Sequence, residues 1–231
     1  NLNVEDLLVR SVTDSHFDAT LLAAAGGLLS GGGGSLTNNV DVNSQIEIGD
    51  VTIMAESATI TATNQVEKSN DQLLGTVDAT TGGLIAGVGS VSTTNLTLRG
   101  GVTIAGDFSI DNVDKNNVNI AARNEINAIE QTTLRSGGIA AGGNNTSTIR
   151  TLVDDAIVTF TEDASLQTTG GVDVYAGGGG EIEIQSNSET FGGATVTAGV
   201  ATIDITPRNR ITLSTGSEII AQRDVNFAAG T

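Results

Sequence analysis

A glycine-pair phrase recurs along the chain, reading GGLLSG at residues 26–31, GGLIAG at 82–87, GGIAAG at 137–142 and GGATVTAG at 192–199. The copies are almost evenly spaced, with a period of about 55 residues. A fixed period is typical of repeat architectures, in which each unit buries its apolar side only against its neighbours. The phrase therefore predicts a stack of similar units.

Two other phrases share this period. Stretches of the form Val-x-apolar start at Val51, Val118, Val172 and Val225, and the last two steps match the period. The first step, from Val51 to Val118, is longer than the others, which predicts an insertion around residues 111–117. The phrase IVTF at 157–160 recurs one period later as ITLS at 211–214.

These markers divide the chain into approximate repeats. We place them at 1–50, 51–117, 118–171 and 172–224, with a further repeat starting at 225–231. Together they form one continuous segment over residues 1–231, and the strand-like phrases at both ends suggest a piece of a longer protein.

Within each repeat, polar and apolar residues alternate, as in ATITAT at 58–63, EIEI at 181–184 and ATIDI at 201–205. Alternation with a period of two predicts β-strands that place one set of side chains on each face of a sheet. Glycine, asparagine and aspartate separate these stretches as turn residues do. Only residues 21–25 suggest a helical turn, so we predict an all-β fold.

Composition distinguishes between the β architectures. Of the 231 residues, 38% are hydrophobic and 3% aromatic, and there is no cysteine or tryptophan. A β-sandwich needs about 100 residues and usually an aromatic anchor, whereas stacked coils bury ladders of small and β-branched residues. We predict a parallel β-helix (β-solenoid) with about two coils per 54-residue repeat and about nine coils in all. Glycine runs at 31–34 and 177–180 are expected to form its corners.

Charge excludes several partners. The chain carries 27 acidic and 10 basic residues, a formal net charge of -17, which disfavours nucleic acid and anionic membrane surfaces. No apolar stretch is as long as a membrane-spanning helix requires. We expect no cofactor and no catalytic, cofactor-binding or metal-binding residues; only weak calcium binding by surface carboxylates is allowed.

Three parts of the sequence are candidates for catalysis or phosphate binding. His16 is the single histidine and has no Ser-Asp arrangement near it in the sequence, so we expect a surface role. Asp154 with Asp155, and Glu162 with Asp163, could supply acid and base, although adjacent acids usually form solvated turns. GGNN at 142–145 lacks the Gly-Lys-Ser/Thr ending of a phosphate-binding loop.

Calcium and ice are two further ligands that the sequence could bind. Residues 111–117, DNVDKNN, lack the glycine and terminal glutamate of a calcium-binding EF-hand loop. Threonine pairs at 59–63, 159–161 and 195–197 suggest an ice-binding face, but they occupy different phases of the repeat. Threonine is also common on the outer side of ordinary strands.

Two stretches carry a family resemblance. GGVDVYA at 170–176 followed by EIEI, and residues 211–221 followed by RDVNFAA at 223–229, resemble repeats of bacterial filamentous hemagglutinin-type and leukotoxin-type filamentous adhesins. The resemblance implies a right-handed helix, an extracellular location at the bacterial surface and membership of a giant secreted protein. The coils look longer and less regular than that family's short repeat, and its amino-terminal secretion domain is not present.

The expected function is mechanical. We expect a rigid spacer in an adhesin shaft or surface filament, with no chemistry of its own. Its partners would be neighbouring coils of the same long chain or identical segments stacked end to end. The alternative is a carbohydrate-active β-helix enzyme or a sugar-binding module.

Overall fold

The computed structural model describes residues 2–69, 77–112 and 117–230. Every regular element in these ranges is a β-strand, and none of them contains a helix long and apolar enough to cross a membrane. The helical turn predicted at residues 21–25 is wrong. That segment lies in the strand Leu21–Gly26, where exposure alternates along the chain and each residue pairs with the strand Val77–Gly82.

The chain forms seventeen strands. In chain order they are β1 (Leu2–Asn3), β2 (Asp6–Phe17), β3 (Leu21–Gly26), β4 (Leu29–Ile48), β5 (Val51–Ala55), β6 (Ser57–Lys68), β7 (Val77–Gly82), β8 (Ile85–Ile104), β9 (Asp107–Asn112), β10 (Val118–Gly137), β11 (Ala140–Phe160), β12 (Ser165–Thr168), β13 (Val172–Phe191), β14 (Ala194–Asp204), β15 (Arg208–Leu213), β16 (Glu218–Ala221) and β17 (Val225–Gly230).

These strands build three parallel sheets. Sheet A has the short strands in the order β1-β5-β9-β12-β16. Sheet B has the order β2-β6-β10-β13-β17, with β3 and β7 completing its first two layers. Sheet C has the order β4-β8-β11-β14, with β15 also paired to β11. Each turn of the chain passes through sheets A, B and C, which confirms the predicted all-β parallel solenoid.

The predicted coil length is wrong. Leu7 pairs with Ala58, and Ala58 pairs in turn with Val118, so each strand meets its equivalent a whole repeat later. One coil therefore takes one repeat. Several strands of sheets B and C are long, whereas the expectation of two coils assumed strands of four to six residues. The chain makes four complete coils and starts a fifth, a stack roughly 20 Å high at about 4.8 Å per coil.

The register tests the repeat markers individually. Val118, Val172 and Val225 occupy one position on successive coils, as predicted. Val51 does not belong to this set, because it pairs with Phe108 in sheet A and Ala58 takes the equivalent position. The third phrase is offset by one position, since Ile211 pairs with Val158 and not with Ile157.

The predicted insertion falls partly on residues 113–116, which lie outside the described residues. The register on either side supports extra length in this region. Seven residues separate Ile110 from Val118, whereas three separate the equivalent Thr168 from Val172.

Glycine pairs form the corner between sheets B and C. Gly26, Gly82 and Gly137 share one position on successive coils, and the Gly83 amide donates to the Gly137 carbonyl at 3.0 Å. A Cβ on Gly83 would collide with the Gly27 carbonyl, so this close approach requires glycine. The corners predicted at 31–34 and 177–180 are wrong, because those runs lie inside β4 and β13.

The apolar core is largest where sheet A closes the coil. Ile60, Ile120 and Val174 stack there in register, and Phe108 and Phe160 are fully buried beside them. Smaller apolar clusters continue between sheets B and C towards the glycine corner. In the middle coils, each inward side chain is thus covered by its equivalents on the neighbouring coils.

We predict that Ile120→Ala lowers the free energy of unfolding by about 2–4 kcal/mol, because it leaves a cavity between the buried side chains of Ile60 and Val174. Ile129→Ala, on the exposed outer side of the same strand, should change it by less than about 0.5 kcal/mol. Urea unfolding followed by circular dichroism measures both. Equal losses in the two variants would contradict the assignment of inner and outer positions.

Candidate functional site

Polar side chains interrupt the core in the middle of the coil. Asn64 and Asn124 stack in register on sheet B, and the Asn64 side-chain amide donates to Oδ1 of Asn124 at 2.9 Å. The Asn124 amide donates across the interior to Oδ1 of Asp154 at 2.8 Å and to the Asp155 carbonyl at 2.9 Å. A buried amide ladder therefore ends on a buried carboxylate.

A β-bulge places that carboxylate inside. The register between β8 and β11 shifts between Thr151 and Val153, so Leu152 is an extra, exposed residue. Inward positions change there from odd to even numbers, as the burial of Ile149 before the bulge and of Ala156 after it shows. A bulge commonly redirects side chains in this way. Asp154 consequently faces the interior.

Asp155 faces the outside and is held by Arg208. The guanidinium donates from Nε to Oδ1 and from a terminal nitrogen to Oδ2, both at 2.8 Å. These bonds raise the pKa of Arg208 above its ordinary value. The candidate acid-base pair Asp154 and Asp155 thus consists of carboxylates on opposite sides of the sheet, and they do not share one site.

A cavity of about 180 Å³ opens above Asp154 and Asn124. On one side residues 178–180 of β13 are glycines and contribute no side chains. On the other side sheet C is interrupted between β14 and β15, where Pro207, the single proline, cannot donate a ladder hydrogen bond. Ile126, Ile182 and Ile205 give the cavity apolar walls, and Asn209 adds a second amide.

The surroundings of Asp154, the acidic residue in the cavity lining, raise the pKa of its carboxyl. Burial raises the pKa of its carboxyl, the hydrogen bond from Asn124 lowers it, and the nearby charge of Asp155 raises it. A carboxyl with a raised pKa is suited to donate or accept a proton. General acid-base chemistry at a glycosidic bond needs a second carboxylate across the substrate, and the cavity lining supplies none besides Asp154.

A second buried polar group is the ion pair of Lys68 and Glu130. Their nitrogen and oxygen lie 3.0 Å apart, and both side chains have no exposed area. The Lys68 ammonium also donates to the Ile129 carbonyl at 3.0 Å, and Thr94 donates to Glu130 at 3.2 Å. Either charge alone would be buried without compensation, so we expect the pair to favour the alignment of neighbouring coils that brings Lys68 and Glu130 together.

The other sequence candidates lie apart from the cavity. His16 is exposed on sheet B, 3.5 Å from a Glu67 oxygen. Glu162 and Asp163 occupy an exposed turn between β11 and β12. Residues 142–145 lie inside strand β11 and form no phosphate-binding loop.

The calcium and threonine candidates give no assembled site either. Of residues 111–117, positions 113–116 lie outside the described residues. In the ranges that the structure does describe, no three His, Cys, Asp or Glu side chains group as metal ligands. Thr59, Thr61 and Thr63 lie beside Asn119, Ala121 and Arg123 of the next coil, so they do not stack on other threonines. Thr195 and Thr197 lie beside Ala141 and Gly143. Thr159 does stack between Thr103 and Thr212, but as a single column and not as a pair.

Sequence reasoning missed the cavity and the buried ion pair. Pro207 and the glycines at 178–180 were visible signals for the cavity, but only the register shows that they face each other. No comparison identifies the site: no protein-family model, curated protein or solved structure matches this chain.

We predict that Lys68→Met lowers the free energy of unfolding by about 3–5 kcal/mol, because Glu130 then stays buried without its counter-charge. The double variant Lys68→Met/Glu130→Leu should recover most of this loss. Urea unfolding of the parent, both single variants and the double variant forms the test. A double variant no more stable than Lys68→Met would argue against a charge-pairing role.

A pH-dependent effect is predicted at Asp154. The folded pKa lies above the unfolded one, so folding binds a proton between the two values and stability falls as pH rises through that window. Asp154→Asn removes this penalty and should be more stable than the parent at pH 7, with the difference shrinking below about pH 4. Urea unfolding from about pH 3 to 7 measures it, and a constant difference would count against buried ionisation.

Proposed function

We propose that the chain is a rigid structural segment of an extracellular bacterial adhesin shaft or surface filament. The observation that carries this proposal is the parallel register, which runs through four coils in all three sheets. Each coil is bonded to the next along long strands, so the stack resists bending and offers proteases few loops. The adhesin-like phrases at 170–176 and 223–229 support the same function.

The ends of the stack support continuation by further coils. Ile149 is completely buried, whereas Ile203, at the equivalent position one coil later, is 52% exposed. Phe227 is likewise exposed, while Ile120 and Val174 at its position are buried. Exposed apolar ladders and open strand edges are typical of surfaces that receive another strand layer. We propose that neighbouring coils of a longer chain, or identical segments, cover them.

The competing proposal, a carbohydrate-active enzyme or sugar-binding module, has less support. Its strongest feature is the cavity above Asp154, but the neighbouring acid is engaged by Arg208 on the other side of the sheet. The cavity lining contains no aromatic side chain on which a sugar ring could stack. We therefore propose no chemistry for this segment.

The test is to locate and image the parent assembly. Antibodies against this chain should label intact cells, and electron cryomicroscopy of the labelled material should show filaments with a layer spacing of about 4.8 Å along the axis. Labelling that requires permeabilised cells, or compact particles without this spacing, would refute the shaft.

The enzyme alternative has its own control. The purified chain and Asp154→Asn are incubated with neutral and acidic glycans, and released sugars are measured. We expect no release by either protein. Release by the parent that Asp154→Asn abolishes would establish the enzyme and overturn the structural proposal.

A further inference from the structure

One part of the molecular surface carries no charge. Residues 28–38, 84–94, 139–149 and 193–203 contain no acidic or basic residue and no histidine. They form the part of sheet C next to the glycine corner, one stretch per coil. We call the outer side of these four stretches the neutral surface. It is unexpected on a chain with a net charge of -17.

Away from the glycine corner, many outward positions of the neutral surface hold small residues in register, and the larger side chains among them, such as Val196, are aliphatic. Gly31, Gly87 and Gly142 follow one another on three coils. Further along the strands, one column consists entirely of threonines, namely Thr37, Thr93, Thr148 and Thr202. A sheet with such small outer side chains can approach another sheet closely, since stacked sheets pack at about 10 Å.

An apolar ridge forms the part of the neutral surface next to the glycine corner. Leu28, Leu29 and Ile139 are 74%, 76% and 67% exposed, and Leu84 and Ile85 lie between them on the second coil. Exposed aliphatic groups that adjoin one another are typical of contact surfaces. The ridge and the small outward residues together give an uncharged surface, and removing it from water costs little free energy of desolvation.

We propose that the neutral surface packs face to face against the same surface of a second copy of this chain. Elsewhere, copies with a net charge of -17 repel each other, so contact is least opposed where both faces are uncharged. A two-fold axis allows one patch to serve on both molecules. A charged partner would find no counter-charge there, and a sugar polymer would find no aromatic side chain in these four stretches.

The size of the neutral surface suits a weak contact. Ten residues along a strand and four coils span roughly 30 Å by 20 Å, or about 600 Å² per copy. The total of about 1,200 Å² is at the lower limit of specific interfaces, so we expect a dissociation constant above about 1 μM. A longer stack would repeat the contact along its length and strengthen it. The inference holds whether or not the chain belongs to a shaft.

The experiment measures self-association of the whole chain by sedimentation equilibrium. The parent should show a monomer–dimer equilibrium that raised salt strengthens severalfold, since salt screens the net repulsion. Gly87→Glu and Gly89→Glu place charges in the centre of the neutral surface, where an added Cβ meets nothing closer than about 3.9 Å. Each should weaken the dimer at least tenfold.

Two controls separate charge, bulk and position. Gly87→Gln adds the same volume without the charge and should weaken the dimer less. Gly101→Glu adds the same charge on the outer side of sheet C but outside the neutral surface, where an added Cβ meets nothing closer than 3.7 Å and the paired residues, Gln45 and Ile157, carry no charge. It should leave the dissociation constant within about twofold. Circular dichroism confirms that each variant is folded.

Three results would overturn the proposal. The first is a parent that stays monomeric up to about 1 mM. The second is a dimer that Gly87→Glu and Gly89→Glu leave unchanged, which would place the contact elsewhere, for example at the stack ends. The third is a monomeric parent that shapes growing ice crystals or sediments with crystalline cellulose, with Gly87→Glu abolishing the effect; this would assign the neutral surface to a solid partner.

Discussion

The hydrogen-bonded pairing of each strand with its equivalent one coil away is the constraint on which the rest of the structure depends. It brings each side chain beside the equivalent residues one repeat before and after it, so every position must hold residues that tolerate stacking. Ile60, Ile120 and Val174 satisfy this by apolar contact, and Asn64 with Asn124 does so by an amide hydrogen bond. A slip of one residue would exchange inner and outer side chains.

The same constraint governs charge. Side chains in register are about 5 Å apart, where like charges repel. Among the strand pairs that the structure describes, no two acidic residues share a position on neighbouring coils. Asp155 instead lies between Arg99 and Arg208, and Asp204 follows Arg150. An acidic chain can therefore stack because its acids are staggered from coil to coil.

The sequence was sufficient for the strands and the period, because these depend on local alternation and on recurring phrases. It did not place the corner, because glycine runs such as 31–34 also fit inside a strand, and only the close approach at Gly83 distinguishes the glycine pairs. It was insufficient for the coil length, since the period fits one wide coil or two narrow ones equally well. The position of Asp154 depends on the bulge at Thr151–Val153, a one-residue shift that alternation alone does not reveal. The Lys68–Glu130 pair depends on two coils meeting, which no local pattern encodes.

The wedge shape of the coil explains the unusual composition. The interior is wide at sheet A, where Phe108 and Phe160 fit, and narrows towards the glycine corner. There a Cβ on Gly32 would lie 2.7 Å from a Thr81 methyl group, and one on Gly143 would lie 2.5 Å from a Leu134 methyl group. Larger residues are thus excluded at these two positions near the corner. Less of the stability can then come from apolar burial, and more must come from the strand ladders that also make the stack stiff.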